Sequence, residues 1–239
     1  MKSKKGAGKG RVVSAKSERK ILLVDDHPLV REGIATLIRA TPDLRISAEA
    51  GNAAEALQAI QDEMPDIVLL DISLPGTSGI ELLKDLHARF PRLLVLVLSM
   101  HEESVYAERA LRAGAHGYIM KQEAGAKVIE AVRCVLGGEL YVSASLAARM
   151  VKLFVANKQG KDARTSVERL SDRELQVYSF IGSGLSTQEV AEKLCLSVKT
   201  IQTYREHIKR KLGLRNATDL VHHATHWVEN EIDPSSSAE

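Results

Sequence analysis

Ile67-Val68-Leu69-Leu70-Asp71-Ile72-Ser73-Leu74-Pro75-Gly76 reads as a strand that ends on a carboxylate and turns at once. Four apolar residues in succession, two of them β-branched, fit a strand buried on both faces, as in a parallel sheet. Pro75-Gly76 then bend the chain. In open α/β sheets functional groups gather in the crevice beyond the carboxyl ends of the strands, which is where Asp71 falls. Asp is also an ordinary turn residue, so the meaning of Asp71 depends on what the other strand ends carry.

Upstream and downstream the same alternation repeats. Ile21–Val24 is a first strand ending in Asp25-Asp26. Pro28 opens a helix with Leu29, Ile34, Leu37 and Ile38 at helical spacing. Leu44–Glu49 is a second strand, and Asn52 caps a helix running to about Glu63. After the Asp71 strand come a helix over Ser78–Arg89, a buried strand over Leu93–Leu98 that leads into Ser99, and a helix over Glu102–Ala113 that Gly114 can terminate. Gly117–Met120 is a short fifth strand leading into Lys121, and Glu123–Leu136 a fifth helix closed by Gly137-Gly138. Five strands each followed by a helix predict a doubly wound α/β domain over residues 20–137.

Composition bounds the rest. The chain has 239 residues, room for two domains, and 44% apolar with 27% charged residues is the balance of a soluble globular protein. No apolar run reaches the roughly 18 residues of a membrane span. The basic N-terminus has no apolar segment before Ile21, so it is no secretory signal. Cys134 and Cys195 are the two cysteines, both expected on apolar helix faces. Reduced, buried thiols in a cytoplasmic protein are expected rather than a disulfide. Residues 1–20 carry a surplus of +7 against a total of +2, so the rest of the chain is at −5. Any nucleic-acid surface must then be a local patch.

Residues 1–19, rich in Gly, Lys and Ser, are expected to be a disordered basic arm. Residues 138–165 read as a linker with a short helix over Ser145–Ala156. Four further helices follow within 166–230, over Ser171–Ile181, Ser186–Leu194, Ser197–Leu212 and Asn216–Asn230, each with an N-cap residue. The tail 231–239 should fray.

Asp25, Asp26, Asp71, Ser99 and Lys121 all fall at carboxyl ends of expected strands and converge on one face of the sheet. Three carboxylates together repel one another, which is tolerable only if a cation is bound or a proton taken up. Oxygen ligands that leave room for water suit Mg²⁺. Beside such an ion Asp71 could attack a phosphoryl group, with Lys121 offsetting charge on the equatorial oxygens and Ser99 donating to the new phosphate.

In the helical half, Ser186 and Glu189 form a capping box ahead of Val190, Ala191 and Leu194. Ser197 caps the next helix, whose inner stripe is Val198, Ile201, Ile208 and Leu212. Its other face carries Lys199, Gln202, Thr203, Arg205, Glu206, Lys209 and Arg210. Two helices with a short turn, the second basic outside, match a helix-turn-helix. The basic residues would supply phosphate contacts.

Val24-Asp25-Asp26-His27-Pro28, Asp71 to Gly76, Leu98-Ser99 and Gly117-Tyr118-Ile119-Met120-Lys121 resemble the receiver domain of two-component response regulators. The resemblance implies strand order 2-1-3-4-5 and phosphate transfer to Asp71 from a sensor histidine kinase. It further implies Mg²⁺ held by Asp25, Asp26, Asp71 and the Ser73 backbone carbonyl. Ser99 would be the switch hydroxyl, Lys121 the phosphate-pairing amine, and Tyr118 an aromatic that turns inward on activation. Leu170-Ser171-Asp172-Arg173-Glu174, Gly184 to Ala191 and Ser197 to Gly213 resemble the LuxR-type DNA-binding domain of NarL/FixJ regulators. That likeness implies base contacts from Gln202, Thr203 and Glu206, where Gln can read adenine and a threonine methyl can pack on thymine. Lys199, Thr200, Lys209 and Lys211 would hold the DNA backbone. Asn216–Asn230 resembles the helix through which two such domains pair, so a homodimer on an inverted repeat of promoter DNA is expected when the chain is phosphorylated or DNA-bound. RNA polymerase is a further candidate partner, and no membrane partner is implied. His222 and His226 could reach a metal, but a surface or interface role is expected of them.

Three rivals share parts of this pattern. An aspartyl-phosphate phosphatase or mutase also uses a strand-end Asp with Mg²⁺, but wants a second carboxylate two residues on, where Ser73 stands. A small-molecule-sensing LuxR-type regulator would not need the acidic cluster. A regulator working independently of phosphorylation keeps every motif without using Asp71.

Overall fold

A computed structural model describes residues 18–100, 103–157 and 166–232. The basic arm through residue 17, the linker stretch 158–165 and the tail from 233 lie outside the described residues. The first half alternates β1 (Arg19–Val24), α1 (Pro28–Arg39), β2 (Leu44–Ala50), α2 (Ala53–Asp62), β3 (Ile67–Asp71), α3 (Gly79–Arg89), β4 (Leu94–Ser99), α4 (Glu103–Arg112), β5 (Gly117–Met120) and α5 (Lys121–Leu136). The second half holds α6 (Ala144–Asn157), a 3₁₀ turn at Ser166–Arg169, α7 (Asp172–Gly182), α8 (Thr187–Lys193), α9 (Val198–Leu212) and α10 (Ala217–Ile232).

The five strands form one parallel sheet in the order β2-β1-β3-β4-β5. Successive side chains of a strand point to opposite faces, and the sequence exploits this. Leu22, Val24, Val68, Leu70, Val95 and Val97 pack on one face with Ile60 of α2, Leu83 of α3 and Ala107 of α4. Ile21, Leu23, Ile67, Leu69, Leu96 and Leu98 pack on the other with Ile34 and Ile38 of α1 and Val132 of α5. All five residues of β3 are buried. That is why its sequence shows no polar alternation.

Register sets the position of the strand ends. Val24 pairs with Leu70, Asp71 with Leu98, and Ser99 with Met120. Asp25, Asp71, Ser99 and Lys121 therefore stand in one row along the carboxyl edge. Strand order reverses between β1 and β3, the place where such sheets open a crevice.

Three expectations needed correction. α10 runs on to Ile232, two residues into the tail expected to fray from 231. Arg19, assigned to the arm, belongs to β1, because it pairs with Leu44 and its guanidinium reaches Asp66 at 2.8 Å. Cys195 is exposed, not buried on a helix face. α8 ends early so that the chain can turn into α9, and Cys195 takes the left-handed conformation (φ 52°) at that turn.

The two halves touch. Gly76 N–H, in the β3–α3 loop, donates to Leu194 O at the end of α8 (3.1 Å). Asp172, the first residue of α7, receives Lys84 Nζ of α3 at 2.7 Å and Arg109 Nη1 of α4 at 3.1 Å. Arg109 also donates to the carbonyls of Val167, Glu168 and Leu170. Its five-donor fork thereby satisfies the carbonyl end of the 3₁₀ turn.

Candidate functional site

The crevice is built around one ammonium. Lys121 Nζ lies 2.6 Å from Asp25 Oδ2 and 2.7 Å from Asp71 Oδ2, with the lysine side chain 3% exposed and both carboxylates 0%. The expectation that only a bound cation or a proton could relieve the carboxylates needs correction: Lys121 supplies an internal counter-charge. Burial raises the Asp71 pKa, Lys121 pulls it back and Asp25 raises it again, so the net shift is upward. Burial alone would lower the Lys121 pKa, but Asp71 and then Asp25 outweigh it, and the ammonium holds its proton more tightly.

Backbone donors set the carboxylates. His27 N–H donates to Asp25 Oδ1 (2.9 Å) and Ser73 N–H to Asp71 Oδ1 (3.0 Å). Arg31 Nη1 donates to the Asp25 carbonyl at 2.6 Å. Asp26 is partly exposed, and His27 Nδ1 stands 2.7 Å from its Oδ1. Ligand atoms of Asp25, Asp26, His27 and Asp71 lie within 4.8 Å of one another. Asp25 Oδ2 faces Lys121 and Asp26 Oδ1 faces His27, so both oxygens lie among cationic or ring-nitrogen neighbours. A set of this kind, its three carboxylates grouped within 4.8 Å, suits a hard divalent cation such as Mg²⁺, which takes oxygen ligands and keeps several waters.

Ser99 is fully buried and Tyr118 is 1% exposed. Burial raises the Tyr118 pKa well above its ordinary value, against a side-chain hydrogen bond with Ser99 that lowers it. The ring expected to turn inward on activation is already inside here. Gly79 was not anticipated at all. A Cβ there would come 2.3 Å from Asp71 O and 2.4 Å from Ile72 Cα, so the first residue of α3 must be glycine to pack on the end of β3. The Ser78–Glu81 capping box marks the start of this helix, but no local signal marks the close approach.

The second constellation lies on α9. Ser186 and Glu189 form a capping box at α8, and Ser197 Oγ accepts from Thr200 N–H at α9 (3.0 Å). Ile201 and Ile208 are buried, whereas Gln202, Thr203 and Glu206 are exposed together on the outer face. Lys199 is exposed beside them. Two of the expected backbone-holding lysines are engaged within the chain. Lys209 Nζ is 2.9 Å from Glu206, and Lys211 Nζ is 2.5 Å from the buried Glu174. Thr200 spends its hydroxyl on Ser197. Gly213 closes α9 in the left-handed conformation (φ 69°), with its N–H on Lys209 O.

A receiver-type acidic crevice in the same chain as a helix-turn-helix defines a DNA-binding regulator with a signal-receiving domain. The family model for the response regulator receiver domain matches residues 21–133, and that for bacterial regulatory proteins of the luxR family matches residues 168–224. The chain belongs to the NarL/FixJ type of two-component response regulators, and its function is DNA-binding control of transcription. The oxygen regulatory protein NreC of Staphylococcus aureus (strain bovine RF122 / ET3-1) is 37% identical over 208 residues, covering 86% of this chain and 96% of that protein. A LuxR-family two-component response regulator from Aurantimonas sp. SI85-9A1 is 37% identical, with a TM-score of 0.54 over 58% of this chain and 99% of that one. RcsB from Salmonella enterica serovar Typhimurium, solved on promoter P1flhDC with the phosphomimetic BeF3-, shares the fold. It is 24% identical, with a TM-score of 0.60 over 88% of this chain and 100% of that one. No described helix is long and apolar enough to cross a membrane.

Proposed function

We propose that Asp71 is the phosphoacceptor and that its phosphorylation by a sensor histidine kinase governs how the helix-turn-helix engages promoter DNA. The observation that carries this is the buried Lys121 ammonium bridging Asp71 and Asp25 at the sheet's switch point. An Asp71 oxygen forms the O–P bond as the N–P bond of the kinase phosphohistidine breaks, and the imidazole leaves with the electron pair. Lys121 neutralises charge on the phosphoryl oxygens, and Ser99 is the hydroxyl donor nearest in register to Asp71. Asp25, Asp26, Asp71 and the Ser73 carbonyl would hold Mg²⁺, which supplies further charge neutralisation when bound.

On the DNA side, Gln202, Thr203 and Glu206 read bases, while Lys199, Thr200, Lys209 and Lys211 hold phosphates. The pairings of Lys209 with Glu206 and Lys211 with Glu174 must then loosen or be shared on DNA. Two copies pair through α10 on an inverted repeat, and RNA polymerase is the partner such a dimer would present itself to. The base-reading residues stay exposed while the halves are docked. Docking through Asp172, Arg109 and Gly76 therefore controls orientation and pairing rather than covering the reading face. Phosphorylation shifts that docked-to-free equilibrium.

The test is Asp71→Asn. Wild-type chain should take up label from a radioactive phosphodonor with Mg²⁺ and bind its operator more tightly afterwards. The variant should fold, take up no label and show no tightening. Label retained on Asp71→Asn, or tightening that persists without it, sinks the reading.

A further inference from the structure

Among the described residues β2 is an edge of the sheet, paired with β1 on one side only. An open strand edge is a docking template that folded proteins usually blunt or cover. This edge carries a bulge. Ile21 pairs with Ile46 and Leu22 with Ala48, so Ser47 faces no residue of β1, and its hydroxyl donates to Ile21 O (3.1 Å). A bulged edge accepts a further strand poorly. It leaves instead a groove of about 440 Å³ between β2 and α2, lined by Ser47, Ala48 and Ala59 and by the carboxylates of Glu55, Asp62 and Glu63.

Glu63 is already matched, with Lys20 Nζ at 2.9 Å and Arg45 Nη2 at 2.5 Å. Glu55 and Asp62 are exposed and meet no cation among the described residues. Each gives one oxygen to a neutral donor, Glu55 to Gly51 N–H (2.6 Å) and Asp62 to Gln58 Nε2 (2.8 Å). At 1.5 Å per helical residue the two carboxylates stand about 10 Å apart along α2. The chain enters β1 beside the Asp62 end, since Arg19 opens that strand and Lys20 reaches Glu63. Residues 1–17 hold six basic residues, Lys2, Lys4, Lys5, Lys9, Arg11 and Lys16, and no acid. Within them Arg11-Val12-Val13-Ser14-Ala15-Lys16 sets two cations around a pair of valines. Five extended residues span about 17 Å at most, so the long Arg and Lys side chains, leaning inward, match the spacing of Glu55 and Asp62.

We propose that the groove between β2 and α2 is the seat of the chain's own basic arm, with Lys16 at Asp62, Arg11 at Glu55 and the two valines over Ala48 and Ala59. The arm then runs antiparallel to β2, because it must leave from the end where β1 begins. Exposed ion pairs are individually weak. The covalent tether compensates by keeping the arm at an effective concentration of order millimolar, so no single strong contact is needed. The carboxylates of the groove repel phosphate, which makes this seat distinct from any contact of the arm with DNA. A docked arm covers the bulged edge and supplies the cations that Glu55 and Asp62 lack.

A nitroxide on Ser14→Cys, in a Cys134→Ser, Cys195→Ser background, locates the arm by paramagnetic broadening in ¹⁵N–¹H spectra of the full chain. At about 0.05 M salt the Ala48 and Ala59 amides should lose at least half their intensity, and they should recover at about 0.5 M, where exposed charges are screened. Glu55→Lys with Asp62→Lys should abolish the broadening at low salt, and adding Arg11→Glu with Lys16→Glu should restore it. Broadening centred on the α9 amides, broadening that survives Glu55→Gln with Asp62→Gln, or none at Ala48 and Ala59 would each overturn the proposal. Spin-labelled chain without ¹⁵N is then mixed with spin-free ¹⁵N chain. Ala48 and Ala59 of the spin-free chain should keep their intensity; their broadening would seat the arm on a second copy and overturn the assignment to its own receiver.

Discussion

Replacing Lys121 by Met removes the charge at the centre of the crevice while keeping an unbranched chain of similar length. At 2.7 Å and an effective dielectric of about 20, the Lys121–Asp71 attraction is worth about 6 kcal/mol gross, before desolvation is subtracted. What remains is set by the fate of the partners: Asp25 and Asp71 are both 0% exposed and would be left as adjacent buried charges. Removing one partner of such a group costs about 3–5 kcal/mol. Direction with pH follows from the shifts. The Asp71 pKa is raised in the folded state, so its contribution to stability is full below the unfolded value of 3.8 and is lost as pH rises through the folded value. Lys121 has a raised folded pKa too, so its contribution is full below 10.5 and lost only above that. Without Lys121 the Asp71 carboxyl is pushed higher still, and the variant should recover stability as the pH falls and Asp71 takes up a proton. Urea denaturation in EDTA at pH 7.5 should show the loss of about 3–5 kcal/mol, shrinking toward pH 5. Mg²⁺ should restore about 2.7 kcal/mol at a hundredfold excess over its Kd. A loss below about 1 kcal/mol in EDTA, or one that stays constant with pH, would refute the reasoning.

Other outcomes follow from single contacts. Gly182→Ala places a Cβ 2.4 Å from Ala224 O and 2.6 Å from a Val228 methyl, forcing α7 and α10 apart; a loss of about 1–3 kcal/mol is expected by thermal unfolding, with a change in the Trp227 fluorescence. His116 accepts from Val95 N–H through Nδ1 (3.2 Å), and burial lowers its pKa. Its contribution to stability is present above 6.5 and lost as pH falls toward the folded value, so His116→Asn should flatten the pH 7 to 5 part of the urea-midpoint profile. On DNA, Gln202→Ala should relax preference at one base pair by about 1–3 kcal/mol, whereas Lys199→Ala should weaken all sequences alike and reduce the salt slope by about 1. Competition binding across single-base operator variants at several salt concentrations separates the two.

Much of the crevice was legible because its residues sit directly after apolar runs. β3 and β4 are buried on both faces, so their sequences are nearly continuous Val, Ile and Leu, and the polar residue that ends each run stands out. The capping residues of α2, α7, α8 and α9 were visible for a similar reason: a cap is a local hydrogen bond, spanning three residues or fewer. Cys195 misled because a helix-turn-helix needs a left-handed residue at its bend, and a cysteine there looks like the end of an apolar face.

What no local pattern announced is contact at long range. Arg109 reads as one more charge on an amphipathic helix, yet it gathers three carbonyls and Asp172 from a segment some sixty positions away. Gly79 reads as a helix start, yet its lack of a Cβ is what lets α3 sit on the carbonyl of Asp71. The amino-acid order alone determined the alternation of strands and helices, the identity of the strand-end groups and the amphipathic face of α9, since each rests on periodicity or on neighbours within one turn. Tertiary structure alone decided that Lys121 bridges two carboxylates, that Tyr118 is already inside, and that Ser143 bonds Glu103. Those depend on register and packing between segments far apart in the chain, where the direction of each side chain is settled only once the sheet has formed.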